Sequence, residues 1–240
     1  MASPGQGVPA FVRLAAHPVR WRLLTELAAG DHRVRELTDL VGEPQNLVSY
    51  HLRLLRDGGL VTARRSGFDG RDSYYHLDLA RCADALSDTG SALHPALGRP
   101  VPPATGHPRV LFACTGNSAR SPIAEALLRH RTGGRADVAS AGSHPKPAIH
   151  PVAVRVLRED YGVDIARARP RHIGDLADRR FDCVITLCDK VREVCPEFPH
   201  RPRLVHWSIP DPAAAGDDSA FRRTASEIDS RIGFLLPTLG

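Results

Sequence analysis

A cysteine and an arginine, Cys114 and Arg120, flank a short loop whose residue types suit the binding of an anion. The loop follows the apolar run 110–113, and a helix is expected to begin at Ser121-Pro122, because proline suits the first helical position. The N–H groups of a helix N-terminus and a guanidinium bind tetrahedral oxyanions, and both favour the ionised form of a nearby thiol. We therefore expect Cys114 to be a thiolate at neutral pH and to act as a nucleophile.

The residues inside the loop have separate expected roles. Gly116 permits close approach of the backbone, Asn117 holds the loop through side-chain hydrogen bonds, and Ser121 donates to the sulfur. Cysteine and arginine at this spacing are weak evidence alone, and the surrounding strand, glycine, asparagine and Ser-Pro pair make the pattern specific. The predicted oxyanion-binding residues are Thr115, Gly116, Asn117, Ser118, Ala119 and Arg120.

The second half of the chain alternates predicted strands and helices. Such alternation predicts an α/β fold with a parallel sheet and helices on both faces, and ligands bind such sheets at the carboxyl ends of the strands. The loop after the first strand lies at that edge. The predicted strands are 110–113, 138–141, 183–187 and 204–207, and the predicted helices are 122–131, 152–161 and 219–236.

The first half has helical spacing of apolar residues followed by a hairpin pattern. Helix, turn, polar-faced helix and hairpin together predict a mainly α winged helix-turn-helix domain. The predicted elements are helices at 14–27, 34–41, 44–57 and 78–86, and strands at 60–65 and 73–77.

Operator DNA is the expected partner of this first half. Its second helix would enter the major groove, where Gln, Asn and Arg pair with base edges, and the hairpin that follows has an arginine-rich tip. The predicted DNA-binding residues are Gln45, Asn46, Ser49, Tyr50, Arg53, Arg65 and Arg71.

A proline-rich segment separates the two halves. Residues 94–108 contain five prolines and two glycines and show neither helical nor alternating apolar spacing. Such a segment cannot hold a helix and acts as a semi-rigid linker. The predicted organisation is therefore a DNA-binding domain at 1–93, a linker at 94–108 and an α/β domain at 109–240.

Composition excludes several classes of protein. The chain has 240 residues, 42% of them hydrophobic and 25% charged, with a net charge of +5, as in globular proteins. It has no apolar run of about 18 residues and no secretory signal pattern, so we expect no membrane partner and a cytoplasmic location. Its five cysteines are then expected to be reduced thiols rather than a disulfide framework.

The first half resembles the ArsR/SmtB transcriptional regulators over about residues 10–90. The similarity is carried by Leu14-Ala-Ala-His-Pro-Val-Arg, by Asn46-Leu-Val-Ser-Tyr-His-Leu-Arg-Leu-Leu and by Tyr74-Tyr-His-Leu. It implies a homodimer formed through the first and last helices of the domain. Many members sense soft metals through clustered cysteines, but residues 34–41 contain none and Cys82 is the sole thiol of this half, so we expect no metal site.

The second half resembles the low-molecular-weight tyrosine phosphatase superfamily, which includes the thioredoxin-coupled arsenate reductases. Cys114-Thr-Gly-Asn-Ser-Ala-Arg-Ser-Pro carries the similarity, which runs from about Arg109 to Leu236. It implies that Cys114 is the nucleophile, that Arg120 clamps the oxyanion and that Asp211 is the general acid.

Two later cysteines favour a reductase over a phosphatase. Cys188 and Cys195 are seven positions apart, as in the redox segment of the reductases, and Ala213 stands where the phosphatases typically carry a tyrosine. The resemblance implies that Cys188 attacks the adduct at Cys114, and that a disulfide between Cys188 and Cys195 is then reduced by thioredoxin or a similar thiol system. Seven positions on a straight helix span about 10 Å, so we expect this segment to bend and to be mobile.

The remaining assignments follow from these. Cys183 is expected to be a core residue, and a zinc site formed by Cys183, Cys188, Cys195 and a histidine is the competing arrangement. Our leading hypothesis is a transcriptional regulator fused to an arsenate reductase, with no bound cofactor and an external thiol reductant. The alternatives are a tyrosine phosphatase with a DNA-binding domain and a non-catalytic regulator that senses an oxyanion or redox state.

Overall fold

The computed structural model describes residues 8–68, 70–93, 97, 107–215 and 217–239. The chain divides into two compact units, Met1–Val101 and Pro102–Gly240, and each is considered by itself. Most of the predicted linker at 94–108 lies outside the described residues, so the linker stays a prediction. No helix in the described ranges is long and apolar enough to cross a membrane.

The first unit is a winged helix-turn-helix, as predicted. Its helices α2, α3 and α4 pack against one another, and a small antiparallel sheet follows them. The elements are α1 Ala10–Ala15, α2 Pro18–Ala29, β1 His32–Arg33, α3 Val34–Val41, α4 Gln45–Asp57, β2 Val61–Arg65, β3 Ser73–Leu77 and α5 Leu79–Leu93.

The turn between α3 and α4 is set by a glycine. Gly42 has a φ of 70°, a left-handed conformation that glycine adopts without strain, and its N–H donates to the Thr38 carbonyl at 2.9 Å. On α4, Val48, Leu52 and Leu55 recur at helical spacing and are buried on one face. The turn and this buried face orient the opposite, polar face of α4 toward solvent.

The single helix predicted over 14–27 is wrong, because two helices, α1 and α2, occupy this region. Pro18 is the first residue of α2, and Nδ1 of His17 accepts a hydrogen bond from the Val19 N–H at 3.2 Å. Proline lacks an N–H and fits the first helical position but not the interior. Trp21, an apolar residue of α2, is 54% exposed.

The predicted hairpin is present, and a third strand joins it. Strands β2 and β3 pair antiparallel with Arg65 opposite Ser73, and β1 pairs with the other edge of β3. The two residues of β1 are too few to give a recognisable strand pattern. Helix α5 begins where predicted but continues to Leu93 rather than ending at Leu86.

The second unit contains a parallel four-stranded sheet flanked by helices, which confirms the predicted fold class. A 3₁₀ turn, Ile173–Leu176, precedes β6, and another, Leu236–Thr238, follows α10. The elements are β4 Arg109–Cys114, α6 Arg120–Arg131, β5 Asp137–Gly142, α7 Pro151–Tyr161, β6 Cys183–Thr186, α8 Asp189–Glu193, β7 Arg203–His206, α9 Pro212–Ala215 and α10 Asp218–Leu235.

The order of the strands in this sheet is β5-β4-β6-β7, and all neighbours are parallel. Strand β4 is therefore interior, and its residues 110–113 are fully buried. Because the strands are parallel, their carboxyl ends share one edge of the sheet. The loop after β4, the cysteine after β6 and the aspartate after β7 all start from that edge.

Candidate active site

The loop between β4 and α6 is held from outside through its carbonyl groups. The carbonyls of Thr115, Gly116 and Ser118 accept hydrogen bonds of 2.8–2.9 Å from the backbone N–H groups of His144, Lys146 and His150. In a planar trans peptide the following N–H points opposite to the carbonyl. The N–H groups of residues 116, 117 and 119 therefore point away from the segment 144–150. They are directed to the inner side of the loop.

The sulfur of Cys114 lies at the base of this loop and contacts a serine hydroxyl. Cys114 is 2% exposed, and its Sγ is 3.0 Å from Oγ of Ser121. Nδ2 of Asn117 donates to the same Oγ at 2.9 Å. That oxygen accepts from Asn117, so its own hydrogen is available to the sulfur or to the Ala141 carbonyl, which lies 3.4 Å away.

The side chain of Asn117 fixes the shape of the loop, as predicted from its residue type. Its Nδ2 also donates to Oγ of Ser140 at 2.9 Å, and its Oδ1 accepts from the Arg171 N–H at 2.8 Å. Asn117 is 1% exposed and has a φ of 42°, in the left-handed region that asparagine tolerates better than most residues. The buried amide thus has bonds for both hydrogens and for its oxygen.

A glycine that the sequence did not single out determines how closely β5 approaches the loop. Gly142, the last residue of β5, pairs with Cys114 across the sheet. A Cβ at this position would lie 2.6 Å from the Thr115 carbonyl oxygen and 2.9 Å from the Asn117 nitrogen. Both of these are backbone atoms of the loop, so no larger residue fits unless the loop moves.

The guanidinium of Arg120 is directed at the segment after β7. Its Nη1 donates to the Ile209 carbonyl at 3.0 Å, and its Nη2 lies 3.1 Å from Oδ2 of Asp211. The Arg120 side chain is 9% exposed and that of Asp211 is 50% exposed. The predicted clamp and the predicted acid are thus in direct contact, and a bound oxyanion must compete with this carboxylate for the guanidinium.

The start of α6 differs in detail from the prediction. The helix begins at Arg120, so Pro122 occupies its third position rather than its first. The N–H groups of the first turn of a helix have no partner within that helix, so proline is still tolerated there. The predicted oxyanion-binding residues 115–119 all lie between β4 and this helix.

A second thiol adjoins the loop. Cys188 is 7% exposed, and its Sγ is 3.2 Å from Oγ1 of Thr115, the residue that follows Cys114. It precedes α8, a helix of five residues that ends at Glu193, so Cys195 lies beyond the helix. A single straight helix therefore does not join Cys188 to Cys195.

Cys195 and Cys183 lie in apolar surroundings. Burial raises the pKa of the Cys195 thiol to about 11, and burial also raises that of Cys183 to about 11. Cys183 is a core residue of β6, as predicted. Among the described residues, no group of three or more His, Cys, Asp or Glu side chains is placed to hold a metal ion.

Comparison with known proteins agrees with this geometry. Residues 109–240, which are more than half of the chain, match the family described as low molecular weight phosphotyrosine protein phosphatase. The chain belongs to this family. Residues 15–64 match a helix-turn-helix domain family, so the phosphatase-family domain follows a helix-turn-helix in this chain.

Several relatives of this family domain are named as arsenate reductases. The chain is 38% identical over 128 residues to one from Halalkalibacterium halodurans, covering 51% of this chain and 91% of the relative. It is 37% identical over 123 residues to one from Brevibacillus brevis, covering 51% and 90% respectively. The crystal structure of an arsenate reductase from Archaeoglobus fulgidus is 30% identical, with a TM-score of 0.46, covering 53% of this chain and 98% of that one.

The residues predicted to read DNA lie on exposed surfaces of the first unit. Tyr50 is 56% exposed on α4, and Arg53 is 75% exposed there and lies 3.7 Å from Asp57. On the hairpin, Nη1 of Arg65 donates to the Gly70 carbonyl at 3.4 Å, and Asp69 lies outside the described residues. The exposed positions are Gln45, Asn46, Ser49, Tyr50 and Arg53 on α4, and Arg65 and Arg71 on the hairpin.

Replacing Gly142 by alanine is expected to weaken anion binding at the loop between β4 and α6. The added Cβ would collide with two backbone atoms of the loop, which must then shift by a fraction of an ångström or more. We expect the affinity for inorganic phosphate, measured by calorimetry, to fall by about 10²-fold, the cost of a misplaced site. Gly233→Ala is the matched control, since its Cβ would meet only one atom, at 3.8 Å. Equal affinities in the two variants would contradict the assignment.

The environment of Cys195 predicts slow alkylation in the folded protein. With the pKa raised to about 11, the thiol carries about 10²-fold less thiolate at about pH 8 than an ordinary cysteine. We expect iodoacetamide to modify Cys195 at least that much more slowly in the native than in the unfolded chain, as followed by peptide mass spectrometry. The difference should shrink as the pH rises toward 11, because the buried thiol then ionises. A native rate equal to the unfolded rate at about pH 8 would refute it.

Proposed function

We propose that the chain is a DNA-binding regulator fused to an arsenate reductase. The observation that carries the proposal is the 3.2 Å contact between Cys188 and Thr115, which brings a second buried thiol to the residue beside Cys114. A phosphatase needs one nucleophilic thiol, whereas reduction of arsenate needs a second thiol to accept the bond to sulfur. The named activity of several relatives supports the same assignment.

In the first step, the Cys114 thiolate attacks the arsenic atom of bound arsenate. A sulfur–arsenic bond forms and an arsenic–oxygen bond breaks, and the departing hydroxyl group takes a proton from the Asp211 carboxyl and leaves as water. The inward N–H groups of the loop and Arg120 bind the remaining oxygens. Half of the Asp211 side chain is exposed, so this carboxyl can take up its proton from solvent.

In the second step, the Cys188 thiolate attacks Sγ of Cys114. A disulfide forms, the sulfur–arsenic bond breaks, and its electron pair stays on arsenic, which leaves as arsenite. Two thiolates have then lost the two electrons that arsenic gained. Ser121 stabilises Cys114 again when that sulfur is later released as a thiolate.

In the third step, Cys195 attacks Sγ of Cys188, which releases Cys114 and leaves a disulfide between Cys188 and Cys195. Cys195 must first leave its apolar packing to ionise, so this step requires the segment after α8 to move. An external thiol reductant, thioredoxin or a low-molecular-weight thiol, then reduces the disulfide. This cycle suits the cytoplasm, where thiols are kept reduced.

A phosphatase is the second candidate, because Cys114, Arg120 and Asp211 would also serve phosphate-ester hydrolysis. Against it, Asp211 is followed by α9, whose sequence is Pro-Ala-Ala-Ala. The exposed Ala213 offers no aromatic ring to stack on a phosphotyrosine side chain.

The first unit is proposed to be an ArsR/SmtB-type regulator that binds an operator as a homodimer. The exposed polar face of α4 suits the major groove, and the arginines of the hairpin suit phosphate contacts. Burial, with Asp78 nearby, raises the pKa of Cys82 to about 11, so this thiol is a poor thiolate ligand for a soft metal. The proposed regulator therefore lacks the clustered thiolates by which many such proteins sense arsenite.

The reductase assignment predicts that Cys188→Ser abolishes arsenate turnover. Without the second thiol the adduct at Cys114 cannot release arsenite, so arsenite formation with thioredoxin or a small dithiol should fall to background. Cys114→Ser should fall to the same level, and Cys183→Ala is the control expected to keep turnover. Hydrolysis of an aryl phosphate is measured in parallel. Full turnover by Cys188→Ser would refute the relay. Hydrolysis of the aryl phosphate without arsenate reduction would favour the phosphatase. Absence of both activities would favour an oxyanion- or redox-sensing regulator.

The DNA assignment predicts a reduced salt dependence when the hairpin arginines are removed. Each phosphate contact contributes about 0.9 to the slope of log affinity against log salt. Replacing both Arg65 and Arg71 by alanine should therefore lower the slope on mixed-sequence duplex DNA by about 2, measured by fluorescence anisotropy. Arg179→Ala in the second unit, where the side chain pairs with Asp137, is the control. An unchanged slope in the double variant would exclude these phosphate contacts.

A further inference from the structure

A buried polar cluster lies beside Cys188 at the carboxyl edge of the sheet. It consists of Thr186, Asp189, His206 and Ser208, each between 5% and 7% exposed. Oγ1 of Thr186 is 2.8 Å from Nδ1 of His206, and Nε2 of His206 is 3.2 Å from Oδ1 of Asp189. Oγ of Ser208 donates to the same Oδ1 at 2.8 Å.

The imidazole of His206 links the two sides of Cys188. Thr186 lies two positions before this cysteine at the end of β6, and Asp189 follows it directly as the first residue of α8. With a proton on Nε2 the ring donates to the Asp189 carboxylate, and its Nδ1 pairs with the Thr186 hydroxyl, which also lies 3.5 Å from the Val205 carbonyl. The ring therefore joins a side chain that precedes the thiol to one that follows it.

The chemistry assigned to the loop does not explain this cluster. Burying a carboxylate and an imidazole is unfavourable unless they are paired, and an apolar core would fill the same space without that cost. Cys188 itself meets the loop through one weak contact to Thr115, since sulfur is a poor partner in hydrogen bonds. A thiol that must attack Cys114 in a set direction needs firmer support than that contact supplies.

We propose that His206 is a positioning residue that holds Cys188 in place to attack Cys114. This inference rests on the proposed function, because it assigns His206 to the disulfide-forming step. In that step the Cys188 thiolate attacks Sγ of Cys114, a sulfur–sulfur bond forms, and the electron pair of the sulfur–arsenic bond passes to arsenic. His206 exchanges neither electrons nor protons with the reacting atoms and acts through Thr186 and Asp189.

The test compares three variants of the full-length protein. His206→Ala removes both bonds, His206→Gln can keep a donor toward Asp189, and His206→Asn can keep a partner toward Thr186. We expect disulfide formation between Cys114 and Cys188 on addition of arsenate to slow by about 10²-fold in His206→Ala. His206→Gln should recover most of that loss, because it restores the link to the residue next to Cys188. His130→Ala, at an exposed histidine of α6, is the control for a lost imidazole.

A second readout separates positioning from general damage. Inorganic phosphate binding reports the Cys114 loop alone, and we expect its affinity in His206→Ala to stay within about threefold of wild type, since the cluster lies beyond the loop. An equal loss of phosphate affinity and of disulfide formation would overturn the proposal in favour of a structural role. If His206→Ala does not fold, His206→Asn decides, because it is not expected to restore the link to Asp189, and a wild-type rate of disulfide formation in His206→Asn would overturn the proposal.

Peroxide makes the inference testable without arsenate. Hydrogen peroxide converts the Cys114 thiolate to a sulfenic acid, and attack by the Cys188 thiolate then gives the disulfide and releases hydroxide. The product is trapped in a Cys195→Ser background and quantified by peptide mass spectrometry. Slow disulfide formation in His206→Ala beside rapid disulfide formation in the His130→Ala control supports positioning, even if the wild-type protein fails to reduce arsenate. Rapid formation in His206→Ala overturns it whatever the arsenate result.

Discussion

The register of the parallel sheet is the constraint on which the site depends. Ala113, Thr186 and His206 lie side by side on β4, β6 and β7, and Cys114 lies opposite Gly142 on β5. The ladder continues one step further, because the Leu187 N–H donates to the Ala113 carbonyl at 2.7 Å. Continued in the same register, Cys188 comes opposite Thr115, the residue that follows Cys114, and its Sγ contacts Thr115 Oγ1 at 3.2 Å. A slip of one residue in β6 would turn its side chains to the opposite face and remove the contact between Cys188 and Thr115.

The parts of this arrangement that sequence could predict are local in the chain. Apolar spacing and terminal glycines predicted α3 at Val34–Val41 without error, and the strand before Cys114 was recognised from four buried apolar residues. The loop could be recognised from the sequence because cysteine, glycine, asparagine, arginine and Ser-Pro occur within nine residues. The short strand β1 and the five-residue helix α8 are below the length at which periodicity carries information.

The parts that could not be predicted depend on contacts between distant residues. Gly142 and Ser140 meet the loop only because β5 pairs with β4, and nothing in their immediate sequence marks them. His206 bonds Asp189 across 17 positions, and an isolated histidine has no pattern of its own. The break at His17-Pro18 is different, because a proline within an apolar period is itself a local signal of a new helix.

The surroundings of the three relay cysteines suggest why the proposed relay runs in one order. Cys114 has a serine hydroxyl beside it and an anion-binding loop around it, so it meets the oxyanion first. Cys188 is buried against Thr115, the residue that follows Cys114, and in the proposed relay it acts second. Cys195 is packed against the core and ionises with difficulty, so it competes poorly for the adduct while the segment after α8 stays folded. In the proposed relay, the attack by Cys195 therefore follows a movement of this segment, and its late place in the order reflects the apolar packing of Cys195.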